Sequence, residues 1–223
     1  MSAKPEVTGL PFGLIELAAE DYHADRSAVS KGWLDKIDRS PAHLKLYLDG
    51  QNAKPTPAMV QGSLIHTAVL EPDLLLAEYA VLPKIDRRTK AGKEKYAEWL
   101  EQNEGKTEVS PDQMETALAA RDAVNAHKAA SALLAKGSAE QTMVWSESET
   151  GEKCKARADW LRDSMVIDVK STTDARRDEF AKSIANFRYD VQAAHYGDGF
   201  ERDRFVFIFK ALGGCRWAGS RCF

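Results

Sequence analysis

The sequence predicts a mixed α/β fold (α+β mixed), with a helical first half followed by a mixed sheet flanked by helices. Three observations predict it. Up to residue 136, apolar side chains recur mainly at helical spacing. From Gln141 the pattern changes to short β-branched and apolar runs separated by turn signals at residues 149–152 and 162–164. After one more helical stretch comes Phe205-Val-Phe-Ile-Phe209, an unbroken apolar run suited to a strand buried on both faces.

Each element has a local reason. Residues 1–26 read as a partly extended N-terminal extension, broken by Pro5 and Pro11. Residues 27–37 read as a helix with Val29, Trp33, Leu34 and Ile37 near helical spacing. Ser40-Pro41 opens a second helix, with serine as the cap and proline in the first turn. Pro55 and Pro57 punctuate a loop before a third helix over residues 58–70, stopped near Pro72. A helix over residues 93–102 follows. Ser110-Pro111 then starts a long one running to residue 136, with Gly137 as its stop. Residues 141–146, 153–160 and 165–171 form a three-stranded meander, residues 176–200 a helix, and residues 204–209 a fourth strand. Residues 27–209 thus read as one domain. The last fourteen residues, 210–223, hold two of the three cysteines and no clear period. They read as an irregular tail, or as what a truncation or frameshift left in place of a longer terminus.

The chain has 223 residues, 43% hydrophobic and 29% charged, enough for one sizeable core. No run of eighteen apolar residues suggests a membrane span, and the N-terminus lacks a signal-peptide core, so a cytoplasmic location is expected. Three cysteines without metal-type spacing argue against a disulfide framework and a zinc site. The net charge of -3 advertises no polyanion partner. Any such contact would come from a local patch, and Arg87, Arg88, Lys90 and Lys93 form one. The alternative is a solvated loop and helix start.

The chemistry concentrates in residues 159–170. Asp168 and Lys170 are two apart on a strand and so share a face. A carboxylate that can hold a hard divalent cation, beside an ammonium that can meet a phosphate, suits metal-assisted phosphodiester hydrolysis. Three further pieces accompany them: Gly62-Ser-Leu-Ile-His66 on the third helix, Asp159 near a strand end, and Gln192-Ala-Ala-His-Tyr196, whose first and last members share a helix face. His195 falls on another face. No phosphate-cradling loop of the ATPase type is present, so nothing suggests an ATP-driven motor.

These four pieces, in this order, resemble the PD-(D/E)XK nuclease superfamily, and within it the RecB-like branch with its Gly-x-x-x-His, Asp, Asp-x-Lys and Gln-x-x-x-Tyr pattern. Residues 22–30, 62–72 and 87–93 also resemble the RecE-type exonuclease domain (exodeoxyribonuclease eight) of prophages. The resemblance implies a restriction-endonuclease-like core and a Mg²⁺-dependent, ATP-independent exonuclease acting on double-stranded DNA ends, 5′ to 3′, in recombination. It further implies a homo-oligomer around DNA and a RecT-like single-strand annealing partner. Asp159, Asp168, His66 and the Val169 carbonyl would hold the metal, with Mn²⁺ also suited by the imidazole. Lys170 would orient the attacking water or neutralise phosphate charge. Gln192 and Tyr196 would touch DNA or support the site, and Glu140 would be a further carboxylate behind the ligands. Asp168→Ala is expected to abolish cleavage and leave the fold intact. A structure-specific endonuclease or nickase on the same core, or a non-catalytic DNA-binding remnant, are the alternatives.

Overall fold

The computed structural model describes residues 9–50, 55–172, 174–211 and 221–222. A six-stranded mixed sheet forms its centre. Its strands are β1 (Gly13–Ile15), β4 (Ser138–Ser146), β5 (Lys153–Arg162), β6 (Met165–Thr172), β7 (Phe205–Ala211) and β8 (Arg221–Cys222), side by side in that order. Only β6 and β7 run parallel, joined by a helical crossover of α9 (Arg177–Phe187) and α10 (Tyr189–Phe200). The meander and buried fourth strand expected from the sequence are therefore present, with an added strand at each edge, β1 and β8. Of the tail, 210–223, all but Lys210, Ala211, Arg221 and Cys222 lies outside the described residues.

Strand alternation decides which helix covers which face. Val166 of β6 and Phe205, Phe207 and Phe209 of β7 pack with Tyr196 and Phe200 of α10. Ile167, Val169, Val206 and Ile208 point the other way. They meet Leu70 of α4 (Pro57–Leu70), Val124 of α7 (Pro111–Ala126) and Ala130 of α8 (Lys128–Leu134). Each such fully buried aliphatic or aromatic side chain contributes roughly 1.5–3 kcal/mol. A separate cluster packs α4 against α7 through Leu64, Ile65, Ala68 and Ala117. It also takes in Tyr79 and Val109, from a parallel two-stranded sheet of β2 (Tyr79–Val81) and β3 (Thr107–Val109). Leucine and alanine at helical spacing on α4 therefore serve two cores, and α4 is fixed against the sheet.

Four helix boundaries differ from expectation. The first helix, α2 (Lys31–Arg39), starts four residues late, because the backbone of Val29 is taken by the sheet. Its N–H donates to the Lys153 carbonyl and its carbonyl accepts from Lys155, each at 2.7 Å. The long helix expected over 111–136 breaks at His127, which is extended (ψ 108°) and whose ring nitrogen accepts from the Ala130 N–H to cap α8. The helix expected over 176–200 breaks at Arg188, a left-handed residue with φ 52°. The Arg188 guanidinium donates to the Leu34 carbonyl and pairs with Asp38 at 3.0 Å, which holds the corner. The remaining helices, α1 (Ala19–Ala24), α3 (Pro41–Leu48), α5 (Leu75–Glu78) and α6 (Lys90–Gln102), are short or peripheral. α6 begins at Lys90 rather than near residue 93 because Thr89 caps it, accepting from the Gly92 N–H at 3.0 Å. No helix of the described residues is long and apolar enough to cross a membrane.

Candidate metal centre

The site forms where the sheet opens. β5 and β6 pair at Trp160↔Ile167, Leu161↔Val166 and Arg162↔Met165, and then part. Continued by one step, the same register would set Asp159 opposite Asp168. The strands diverge at that step, and the Asp159 carboxylate reaches across to accept the Val169 N–H at 2.8 Å. On the other side of β5 the ladder to β4 also skips a step, between Ala139↔Trp160 and Gln141↔Ala158. The skipped residue is Glu140, held left-handed at φ 51°. Asp159 thus lies at a gap in both ladders, and carboxylates from three strands converge there.

His66 reaches the gap from α4, its Nδ1 3.5 Å from Asp159 Oδ2. Gly62 lies one turn earlier, where a Cβ would sit 4.0 Å from the Ser171 hydroxyl, so the helix runs close over β6. One ligand atom each from His66, Glu140 and Asp159 all lie within 4.8 Å of one another. These groups open onto a cavity of about 350 Å³, also lined by Tyr22, His23, Glu71, Glu78, Arg157 and Tyr196. Burial, and then the Asp168 carboxylate, push Asp159 up to about 8. Burial and the Lys170 ammonium push the His66 imidazole down, which keeps it neutral with a free lone pair.

Asp168 and Lys170 do project together, as two-residue spacing on a strand requires. Lys170 Nζ lies 2.5 Å from Asp168 Oδ2. Asp168 itself is 1% exposed, and its Oδ1 accepts from Gln192 Nε2 at 2.5 Å. Gln192 belongs to α10, so the Gln-x-x-x-Tyr face meets the Asp-x-Lys strand directly. Tyr196, one turn on, is buried beside Phe200 and Phe205 and lines the cavity. Lys170 also lies 5.5 Å from the centre of the Tyr189 ring. Burial works against the charged ammonium, but Asp168 and Asp159 outweigh it and hold Lys170 above the ordinary lysine value.

The donor set fits a hard divalent cation. Asp168 Oδ2 is buried and meets the Lys170 ammonium at 2.5 Å. Asp159 and Glu140 are carboxylates that burial pushes up, so a cation beside them would lower their cost. Oxygen-rich coordination with one imidazole suits Mg²⁺ or Mn²⁺.

Of the residues expected at a site, His66, Asp159 and Tyr196 line the cavity, the Val169 N–H bonds to Asp159, and Lys170 and Gln192 both contact Asp168. Asp168 lies outside the group of ligand atoms within 4.8 Å that His66, Glu140 and Asp159 form. The basic run lies elsewhere, ahead of and on α6. There Arg88 pairs with Asp86 at 3.1 Å, and Lys90 lies 4.0 Å from Glu94. Arg87 lies over the Tyr96 ring, 3.8 Å from Glu108. Arg88 and Lys90 are more than nine-tenths exposed, and the run adjoins the small sheet whose Tyr79 lines the cavity. His195 is structural, with its Nε2 3.1 Å from the Lys155 carbonyl. Arg157 and Tyr189 were not singled out from the sequence. Arg157 precedes Asp159 by two on one strand, and that spacing was the available signal. Tyr189 gave none.

No curated protein matches the chain. Among solved structures, it is similar to a crystal structure from Eubacterium rectale described as a "Putative exonuclease". The TM-score is 0.58 at 13% identity, over 94% of this chain and 77% of that one. That likeness carries the mixed α/β fold. A family model described as a PDDEXK-like domain of unknown function (DUF3799) matches residues 30–209, a span that contains every residue of the candidate metal centre. The chain belongs to this PDDEXK-like family.

Proposed function

We propose that this protein is a metal-dependent deoxyribonuclease that hydrolyses phosphodiester bonds from double-stranded DNA ends. The observation that carries the reading is the meeting of Asp159, Asp168, Lys170, His66 and Gln192 at one opening of the sheet. Membership in a PDDEXK-like family supports a nuclease. The name of the Eubacterium rectale protein supports the exonuclease form. ATP independence, 5′ to 3′ polarity, a role in phage-type recombination with a RecT-like annealing partner, and a homo-oligomer around DNA rest on the RecE resemblance of residues 22–30, 62–72 and 87–93.

His66, Asp159, Asp168 and the Val169 backbone would hold Mg²⁺, or Mn²⁺ in its place. When bound, the cation supplies charge neutralisation at the phosphate and acidifies water. Asp168 is kept in one orientation by Gln192 on one oxygen and Lys170 on the other, so its carboxylate is preorganised. Lys170 stands ready, fully charged, to meet negative charge that grows on the phosphate oxygens. Its ammonium is flanked by Asp168 and the Tyr189 ring. Tyr196 closes the cavity floor. Arg87, Arg88, Lys90 and Lys93 would contact the duplex backbone outside the cavity, which would make binding salt-dependent.

Linear and closed-circular duplexes, incubated with the purified chain and Mg²⁺ without ATP, test the reading. Loss of the linear form alone is expected, from the 5′ end if the duplex is end-labelled. Nicking or cutting of the circle would instead indicate an endonuclease on the same core.

A further inference from the structure

We propose that Glu140 is a cation ligand in its own right, and that Arg157 is the counter-ion that occupies it until the cation arrives. The proposal deepens the nuclease reading and rests on its metal site. Glu140 lies on β4, outside the Asp, Asp-x-Lys and helix-histidine set on which that reading is built. Its carboxylate nevertheless falls in the same group of ligand atoms as those of His66 and Asp159, all within 4.8 Å. Those three groups line one cavity of about 350 Å³.

The backbone gives the second strand of the argument. Glutamate rarely adopts a positive φ, and a left-handed residue inside a strand forfeits ladder pairing. Glu140 does both, at φ 51°, in a strand whose register is otherwise unbroken from Ser138 to Ser146. An outward-pointing strand residue would gain nothing from this arrangement. Here it places the carboxylate in the cavity opposite Asp159.

Arg157 supplies positive charge to this acidic pocket. Its Nε donates to Glu140 Oε2 at 2.5 Å, and its Nη1 donates to the Leu17 carbonyl at 3.1 Å. It projects into the same cavity as Asp159, two residues on. A cation taken by Glu140 would compete with this pair and leave the guanidinium facing the cavity, where its planar fork suits a phosphate.

The two roles predict opposite signs, which a merely structural ion pair does not. Mn²⁺ binding to the DNA-free protein is measured by calorimetry and by Mn²⁺ paramagnetic resonance, alongside a thermal melt. Glu140→Gln, whose amide oxygen can still accept from Arg157, is expected to weaken Mn²⁺ binding by about 10- to 100-fold while still melting cooperatively. Arg157→Gln removes the competitor and is expected to tighten Mn²⁺ binding. Unchanged Mn²⁺ affinity in Glu140→Gln overturns the proposal. If that variant does not fold, Arg157→Gln decides, and weaker or unchanged binding there overturns it. A wild-type chain that binds no Mn²⁺ overturns both this proposal and the metal-site reading beneath it. A wild-type chain that binds, with an indifferent Glu140→Gln, removes Glu140 alone.

Discussion

Asp168 is balanced by two neighbours, and this changes what its removal would do. With 1% exposure it depends on Lys170 for charge and on Gln192 for a hydrogen bond. Asp168→Ala would therefore strip a half-buried ammonium of its partner as well as deleting a ligand, and the intact fold expected from the sequence does not follow. Breaking a buried pair costs about 3–5 kcal/mol, somewhat less here because Lys170 is 21% exposed. Asp168→Asn, which keeps the shape and the Gln192 contact, is the cleaner variant. It should abolish cleavage, and because it too removes the charge partner of Lys170 it should still lose stability, though less than Asp168→Ala. Lys170→Met should slow cleavage by about 10²- to 10³-fold, in line with the loss of one preorganised charge-stabilising group. Single-turnover rates against urea melts separate the two effects. Cleavage at the wild-type rate in either variant would remove that residue from the mechanism.

At the scale of elements, the site depends on close packing between helix and sheet. Gly199 of α10 shows how close: a Cβ there would fall 2.4 Å from the Trp145 ring of β4. Gly199→Ala should therefore destabilise by about 1–3 kcal/mol, and should lower activity by shifting Gln192 and Tyr196 on the same helix. Normal stability would show that α10 has room to move. On the other side, the N-terminal segment is bolted to β5 by Asp25 and Lys155, a charge pair at 2.9 Å whose side chains are 5% and 3% exposed. Lys155 also donates to the Tyr22 and Asp25 carbonyls. Burial works against Asp25's charge, but hydrogen bonds from Lys155 and Ser27 outweigh it and hold the carboxyl below its ordinary value. Its contribution is then fully present above the unfolded-state value near 3.8 and is lost as the pH falls through the lower folded value. Asp25→Ala should cost about 3–5 kcal/mol at neutral pH. The gap from wild type should close on acidification below pH ~4. A gap that is independent of pH would mean that the pair's charge is irrelevant.

At the scale of the whole molecule, three apolar clusters among the described residues hold the fold, and none of their members is a candidate cation ligand except through its backbone. Chelation with EDTA should therefore abolish cleavage while the protein still melts cooperatively, within a few degrees of the metal-loaded form. An unfolded apo-protein would mean that the cation is structural. The parts of this architecture that were legible in the sequence are those set by local chemistry. Ser40-Pro41 and Ser110-Pro111 mark helix starts through capping and proline geometry. Val166-Ile-Asp-Val-Lys170 declares a strand with its two charges on one face. The parts that were not legible are set by tertiary contact. Arg188 and His127 break helices without a glycine or proline, because a distant carbonyl and a ring nitrogen stabilise the corner. The start of α2 is delayed because Val29 is recruited to a strand far along the chain. Glu140 carried only its residue type. The opening of both ladders at Asp159, which turns its carboxylate to the cavity, depends on a register that no single segment encodes.

The central claim is that this opening is a cation-dependent hydrolytic centre. Its most direct test is digestion of an end-labelled linear duplex by wild type and Asp168→Asn, each with Mg²⁺ and with EDTA. The account predicts release of labelled nucleotide by wild type with Mg²⁺ and by none of the other three combinations. Release in EDTA, or by Asp168→Asn at the wild-type rate, would contradict it.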